Sequence, residues 1–242
     1  MGLISWLSVY GEFMNEFDYI RRNYLSLCEE LNTIAEKSGC KSPTLVCVTK
    51  SGTDDELLAL AAAGASDIGE NRPGEVKRRG EILRGAGFSP KMHEIGSLQT
   101  NKIKLIADTV HLVHSLDSHH LAKELDKRAL ASGRKIPVLV EINSAREEQK
   151  GGILPEAAEE FIASLVEYKN LSLKGLMTMG PLSDEGEALR PYFRLTKKLF
   201  DSLSKYYDTE KPILSMGMSD SYKVAIEEGS TLVRVGRRLF IK

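Results

Sequence analysis

Cysteine is scarce in this sequence: Cys28, Cys40 and Cys47 are all it has in 242 residues, an odd number with no C-x-x-C spacing. That pattern excludes a disulfide framework and a cysteine zinc site, and it points to a reducing, cytoplasmic compartment. An excess of charge of one sign is also missing, since 33 basic side chains stand against 34 acidic ones for a formal net charge of -1. Neither nucleic acid nor an anionic membrane is an expected partner. The opening stretch from Met1 to Phe13 is apolar but too short to span a bilayer, and it lacks a basic n-region and a small-residue cleavage site. Trp6 occupies the position where an N-myristoylation signal beginning at Gly2 needs Ser or Thr. Residues 1–13 therefore read as an N-terminal extension, with Met14 as an alternative start and one domain over 14–242. No G-x-G-x-x-G joins a strand to a helix, which disfavours a dinucleotide fold, and Lys150-Gly151-Gly152 lacks the rest of a P-loop and reads as a mobile turn. No repeat, low-complexity linker or second domain is visible.

What is present is alternation. Phe13, Phe17, Ile20, Tyr24, Leu27, Leu31 and Ile34 recur at spacings of three and four, which predicts an amphipathic helix ahead of the first strand. Eight short β-rich runs follow, opening with Thr44 to Thr49 and closing with Thr231 to Val235, and helical segments separate them, including Leu98 to Ala107, Pro155 to Tyr168 and Asp220 to Glu228. Strict alternation with short connections predicts a parallel sheet, and eight strands favour a closed (β/α)8 barrel over an open one. The chain nearly ends after its eighth strand, so the amino-terminal helix is expected to stand in for the missing last one.

Barrels of this kind carry their chemistry at the carboxyl ends of the strands. Lys50 ends the first apolar run; it is a candidate Schiff-base nucleophile, or a strand-end lysine that reaches out to water. Ser215-Met216-Gly217-Met218-Ser219-Asp220 follows the seventh strand and opens a helix, with Gly217 permitting close backbone approach and Ser219 or Asp220 as N-cap. Together with Gly236 on the eighth strand it forms a candidate phosphate cup. Arg234 is expected to face inward, either paired with an acidic side chain or donating to the ring nitrogen of a heteroaromatic ligand. Glu70 and Asp117 define no acid/base couple. The histidines define no metal site, because His111 and His114 are expected on opposite faces of a strand and His119-His120 adjoin at a helix start.

The ordered set Val48-Thr49-Lys50, Gly69-Glu70-Asn71, Ile95-Gly96 with Leu98-Gln99 and Asn101-Lys102, His114-Ser115 with Asp117-Ser118, Gly175 to Thr178, Arg190 to Phe193, Ser215 to Ser219 and Val233 to Gly236 resembles the YggS/PROSC family of pyridoxal phosphate homeostasis proteins. The likeness runs from about Phe17 to Phe240. It implies a single-domain (β/α)8 TIM barrel of the alanine racemase N-terminal type, with pyridoxal 5'-phosphate as an internal aldimine on Lys50. It further implies that Ser215, Ser219 and Gly236 hold the phosphate, that Arg234 faces the pyridine nitrogen and that Asn71 lies close by. A cation at that nitrogen weakens the ring as an electron sink, so the resemblance implies a carrier or buffer of the cofactor, with apoenzymes as its recipients, more than an enzyme, and the lack of a racemase-like second domain points to a monomer. A weak amino-acid racemase and a phosphosugar-binding barrel enzyme are the alternatives. The chain departs from the family pattern at Arg72, where tyrosine is usual, at Glu94 in place of an aromatic, and at Ser97 in place of histidine. Arg237 stands where a small hydroxyl residue usually follows Gly236; it either replaces that phosphate contact by charge or points outward.

Overall fold

Eight short strands carry the buried β-branched and aliphatic runs of the sequence: β1 (Thr44–Val48), β2 (Asp67–Glu70), β3 (Lys91–Glu94), β4 (Leu112–Leu116), β5 (Ile136–Glu141), β6 (Leu171–Met177), β7 (Ile213–Ser215) and β8 (Leu232–Val235). In this computed structural model, which describes residues 16–181 and 186–242, every neighbouring pair is parallel and β8 returns to β1. The fold is the closed barrel expected from the alternation. The N-terminal extension, Phe13 and the alternative start at Met14 lie outside the described residues.

Among the described residues, seven α-helices cover the barrel: α1 (Asp18–Lys37), α2 (Asp54–Ala62), α3 (Pro73–Gly85), α4 (His119–Ala131), α5 (Ala158–Ser164), α6 (Arg190–Ser202) and α7 (Tyr222–Glu227). Helix α1 buries Ile20, Leu27, Leu31 and Ala35, one face of its 3.6-residue period, and packs beside α2, α7 and the 3-10 turn Arg237–Leu239. It thus covers the barrel beside the 3-10 turn that follows β8. Glu30 fixes that docking, accepting from Tyr222 Oη at 2.8 Å and pairing with Arg238 at 2.8 Å and Lys223 at 3.0 Å.

The segment expected to be helical over Leu98 to Ala107 is instead a 3-10 turn, Thr100–Leu105. Its buried residues are Leu98, Ile103, Ile106 and Ala107, so its first turn has no apolar stripe to hold an α-helix on the sheet. Between sheet and helices lies the main core, while Leu112, Leu139 and Met177 form a small apolar cluster of their own, packed with Ile213. Polar side chains are also buried on the strands, and they lead to the site.

Candidate functional site

Strand β1 delivers Thr49, fully buried, and Lys50, exposed, to the barrel mouth. Arg79 of α3 holds this turn from behind: Nη1 donates to the Thr49 carbonyl at 2.7 Å and Nη2 to the Gly52 carbonyl at 2.7 Å, bracketing Lys50 and Ser51. The Arg79 guanidinium is itself buried, with Nε 3.3 Å from Glu70 Oε1 and 3.4 Å from Glu75 Oε2. Thr49 Oγ1 donates to the same Glu70 oxygen. Burial pushes the Glu70 carboxyl up, outweighing the Thr49 hydrogen bond and the Arg79 charge. Glu70 is therefore a member of a buried ion pair. Arg79 was not singled out by sequence; its signal is an arginine among Val76, Gly80 and Leu83, the residues α3 turns inward.

Above this turn opens a cavity of about 450 Å³, lined by Lys50, Ser51, Asn71 and Arg72 with Glu70, Glu75 and Arg79. Among the described residues neither Lys50 Nζ nor the Asn71 amide makes a hydrogen bond or ion pair, so an amine and an amide face the cavity unengaged. Asn71 and Arg72 are exposed. Glu94 stands beside Glu70 in register, fully buried, with Oε1 accepting from the Gly96 amide at 3.1 Å and Oε2 without a partner. Burial, reinforced by the Glu70 charge, pushes its carboxyl up to about 8.

The β7–β8 side of the mouth is tightly packed. Gly217 has φ +95°, and a Cβ there would lie 2.6 Å from Ala225 Cβ and 2.9 Å from Tyr222 Cα. Gly217→Ala is expected to cost about 2 kcal/mol of unfolding free energy from strain and overlap together. Urea titration checks it, and a variant as stable as the parent rules out the constraint. A Cβ on Gly236 would lie 2.9 Å from the Val48 carbonyl, so the end of β8 rests on the strand that carries Lys50. Ser219 is half-buried, and its hydroxyl has no hydrogen-bond partner among the described residues. The helix after this loop begins at Tyr222 behind Ser221, so neither Ser219 nor Asp220 caps it. A further turn intervenes, in which Ser221 Oγ accepts from the Met218 amide at 3.1 Å. Arg237 is exposed and pairs with Asp220.

Arg234 faces the barrel interior, 4% exposed. Nη1 donates to the Ser215 carbonyl at 3.0 Å and to Ser215 Oγ, and Nη2 donates to the Thr178 carbonyl at 3.1 Å. Among the described residues no carboxylate pairs with it directly. Burial lowers the guanidinium to about 10, with Glu141 acting in the opposite sense, so it remains a cation at neutral pH. Glu141 is pushed up to about 7 by burial and by Asp117, against the pull of Arg234. Ser215 Oγ is turned into the barrel and committed to Arg234 and His114. Asn143 closes the Lys150-Gly151-Gly152 turn, donating to the carbonyls of Glu147 at 2.9 Å and Lys150 at 3.3 Å, so that stretch is a braced loop. The described residues hold no group of three or more His, Cys, Asp or Glu placed for a metal ion, and no helix long and apolar enough to cross a membrane.

The model of the family described as alanine racemase, N-terminal domain, matches residues 24–241. A pyridoxal phosphate homeostasis protein of Aquifex aeolicus is 37% identical over 225 residues, covering 89% of this chain and 98% of the relative. The chain belongs to the YggS/PROSC family. Within it, PipY of Synechococcus elongatus, solved with pyridoxal phosphate bound, superimposes with a TM-score of 0.79 at 26% identity, over 92% of this chain and all of that one. The alanine racemase of Clostridium difficile in complex with cycloserine shares the fold, with a TM-score of 0.67 at 18% identity over 87% of this chain and 58% of the racemase. The YggS/PROSC barrel thus matches a little over half of that longer chain.

Proposed function

We propose that this protein binds pyridoxal 5'-phosphate reversibly at Lys50 and carries or buffers the cofactor in vitamin B6 homeostasis. The observation that carries the reading is the Lys50 amine, unengaged among the described residues, at a cavity of about 450 Å³; the Gly236 backbone packs against Val48 of the strand that carries it. The donor set fits the cofactor: an amine for its aldehyde, the Ser219 hydroxyl, without a partner among the described residues, and the Gly217 and Gly236 backbone for its phosphate, Asn71 beside it, and the Arg234 cation for its pyridine nitrogen. Arg237 enters as the exposed partner of Asp220, and Ser215 as the holder of Arg234, its hydroxyl being engaged inside the barrel.

When bound, the cofactor supplies an aldehyde to condense with an amine and a ring able to accept electrons. Arg234 tempers the second property, since a guanidinium against the ring nitrogen disfavours its protonation. That supports carriage over racemisation. The reading includes a monomer in the cytoplasm whose partners are apoenzymes that take up the cofactor. Borohydride reduction of the reconstituted protein, followed by peptide mapping, is expected to place one pyridoxyl group on Lys50. A label on another lysine, or none, sinks the proposal.

A further inference from the structure

Behind Arg234 a line of hydrogen bonds crosses the barrel. His93 Nε2 lies 3.0 Å from Asp67 Oδ1, His93 Nδ1 lies 3.0 Å from His114 Nε2, and His114 Nδ1 lies 3.0 Å from Ser215 Oγ, which also accepts from Arg234 Nη1. All five side chains are buried. The link from His114 to Ser215 joins β4 to β7, which are not neighbours in the sheet.

The Asp67 end fixes the direction of the chain when both rings are neutral. A carboxylate only accepts and a guanidinium only donates. Burial opposes the Asp67 charge, but hydrogen bonds from His93 and Ser66 outweigh it and hold the carboxyl below its ordinary range. Burial, helped by the Arg234 charge, holds His114 neutral. Where His93 is neutral as well, one order satisfies every bond: Arg234 donates to Ser215 Oγ, Ser215 Oγ–H to His114 Nδ1, His114 Nε2–H to His93 Nδ1, and His93 Nε2–H to Asp67. Other groups near the Asp67 end include Ser66 Oγ, 2.6 Å from Asp67 Oδ2, Lys91 Nζ, 4.0 Å from Asp67 Oδ1, His111, whose ring lies 5.4 Å from that of His93, and the Cys47 thiol and Tyr24 hydroxyl, both raised in part by the Asp67 charge.

Both protons of Arg234 Nη1 go to Ser215 and one of Nη2 goes to Thr178. Two of the five guanidinium N–H groups, on Nε and Nη2, are left to meet a ligand. We propose that Asp67, His93 and His114 are positioning residues for Arg234: through Ser215 they set its orientation and supply a distant counter-charge, so that the barrel selects a ring nitrogen that is a bare acceptor and rejects a protonated one. This rests on the cofactor reading above and adds a determinant of the ligand's protonation state.

Long-range proton–nitrogen spectra of the ligand-free protein test the chain. Both His93 and His114 are expected as Nε2–H tautomers; an Nδ1–H on His114, or a doubly protonated His93, overturns the order. Pyridoxal phosphate labelled with nitrogen-15 in the ring tests the consequence. Its nitrogen signal is expected at the unprotonated position in the parent and in Ser215→Thr, which keeps the hydroxyl, and moved toward the protonated position in Ser215→Ala. An identical signal in the parent and Ser215→Ala refutes the selective role. If the parent binds no cofactor at all, the function proposed above falls and the selection with it, while the tautomers still decide whether the chain holds Arg234.

Discussion

Arg79→Met is expected to lower the unfolding free energy by about 3–5 kcal/mol, the cost of leaving a buried carboxylate without its cation. Arg79 is 5% exposed and Glu70 1%, so water screens neither charge, and Glu70 has no other cation in ion-pair contact among the described residues. The same guanidinium bonds the Thr49 and Gly52 carbonyls, which fixes the turn that presents Lys50. Two effects therefore travel together: loss of stability, and loosened presentation of the amine with weaker binding of pyridoxal phosphate. Adding Glu70→Gln separates them. The double variant is expected to recover part of the stability, because the stranded charge is gone, and none of the binding, because the turn is still unbraced. Urea titration and a spectrophotometric cofactor titration read the two quantities. Full stability in Arg79→Met, or no recovery in the double variant, would show that the pair is not what holds the turn.

The barrel was legible because its evidence is local. Strands such as β1 and β5 are apolar runs closed by a polar residue, Lys50 after the first among them, and these residues fall where a parallel barrel puts strand ends. The sequence was less informative where the decisive contact is distant. The bond between His114 and Ser215 spans 101 residues, and no spacing rule relates them. Arg79 was missed for a related reason: a charged residue in a helix reads as solvated until its partners, Thr49 and Gly52, are found on another element. The start of α7 was placed early because Ser219 and Asp220 are both good caps, and one more turn, closed by Ser221, fits before Tyr222. Arg237 illustrates a choice that sequence leaves open in principle, since an arginine beside a phosphate cup and one paired outward with Asp220 have the same neighbours in the chain.

Glu94 gives the second large effect, and its sign is opposite to that of an ordinary ion-paired carboxylate. Its folded-state value is raised from 4.5 to about 8, because burial and the nearby Glu70 disfavour the charged form. The folded protein therefore binds this proton more tightly than the unfolded chain does. The corresponding stability is fully present below pH 4.5 and is lost as pH rises through 8, at a slope of up to about 1.4 kcal/mol per pH unit. Glu94→Gln keeps the oxygen that accepts from Gly96 and removes the titration. An amide left partly unpaired costs about 1–3 kcal/mol at every pH, so the diagnostic quantity is the slope and not the offset. The variant is expected to be the less stable protein at acid pH and to gain on the parent by roughly 4 kcal/mol between pH 4.5 and 8.5, drawing level with it in between. Every other titrating group, Glu141 with its value near 7 included, is present in both proteins and largely cancels in the comparison. Denaturation curves that stay parallel across that range would mean that the carboxyl finds a proton donor or cation when it ionises. The replacement of an aromatic by Glu94 would then be electrostatically silent, and the cavity above Glu70 would owe nothing to it.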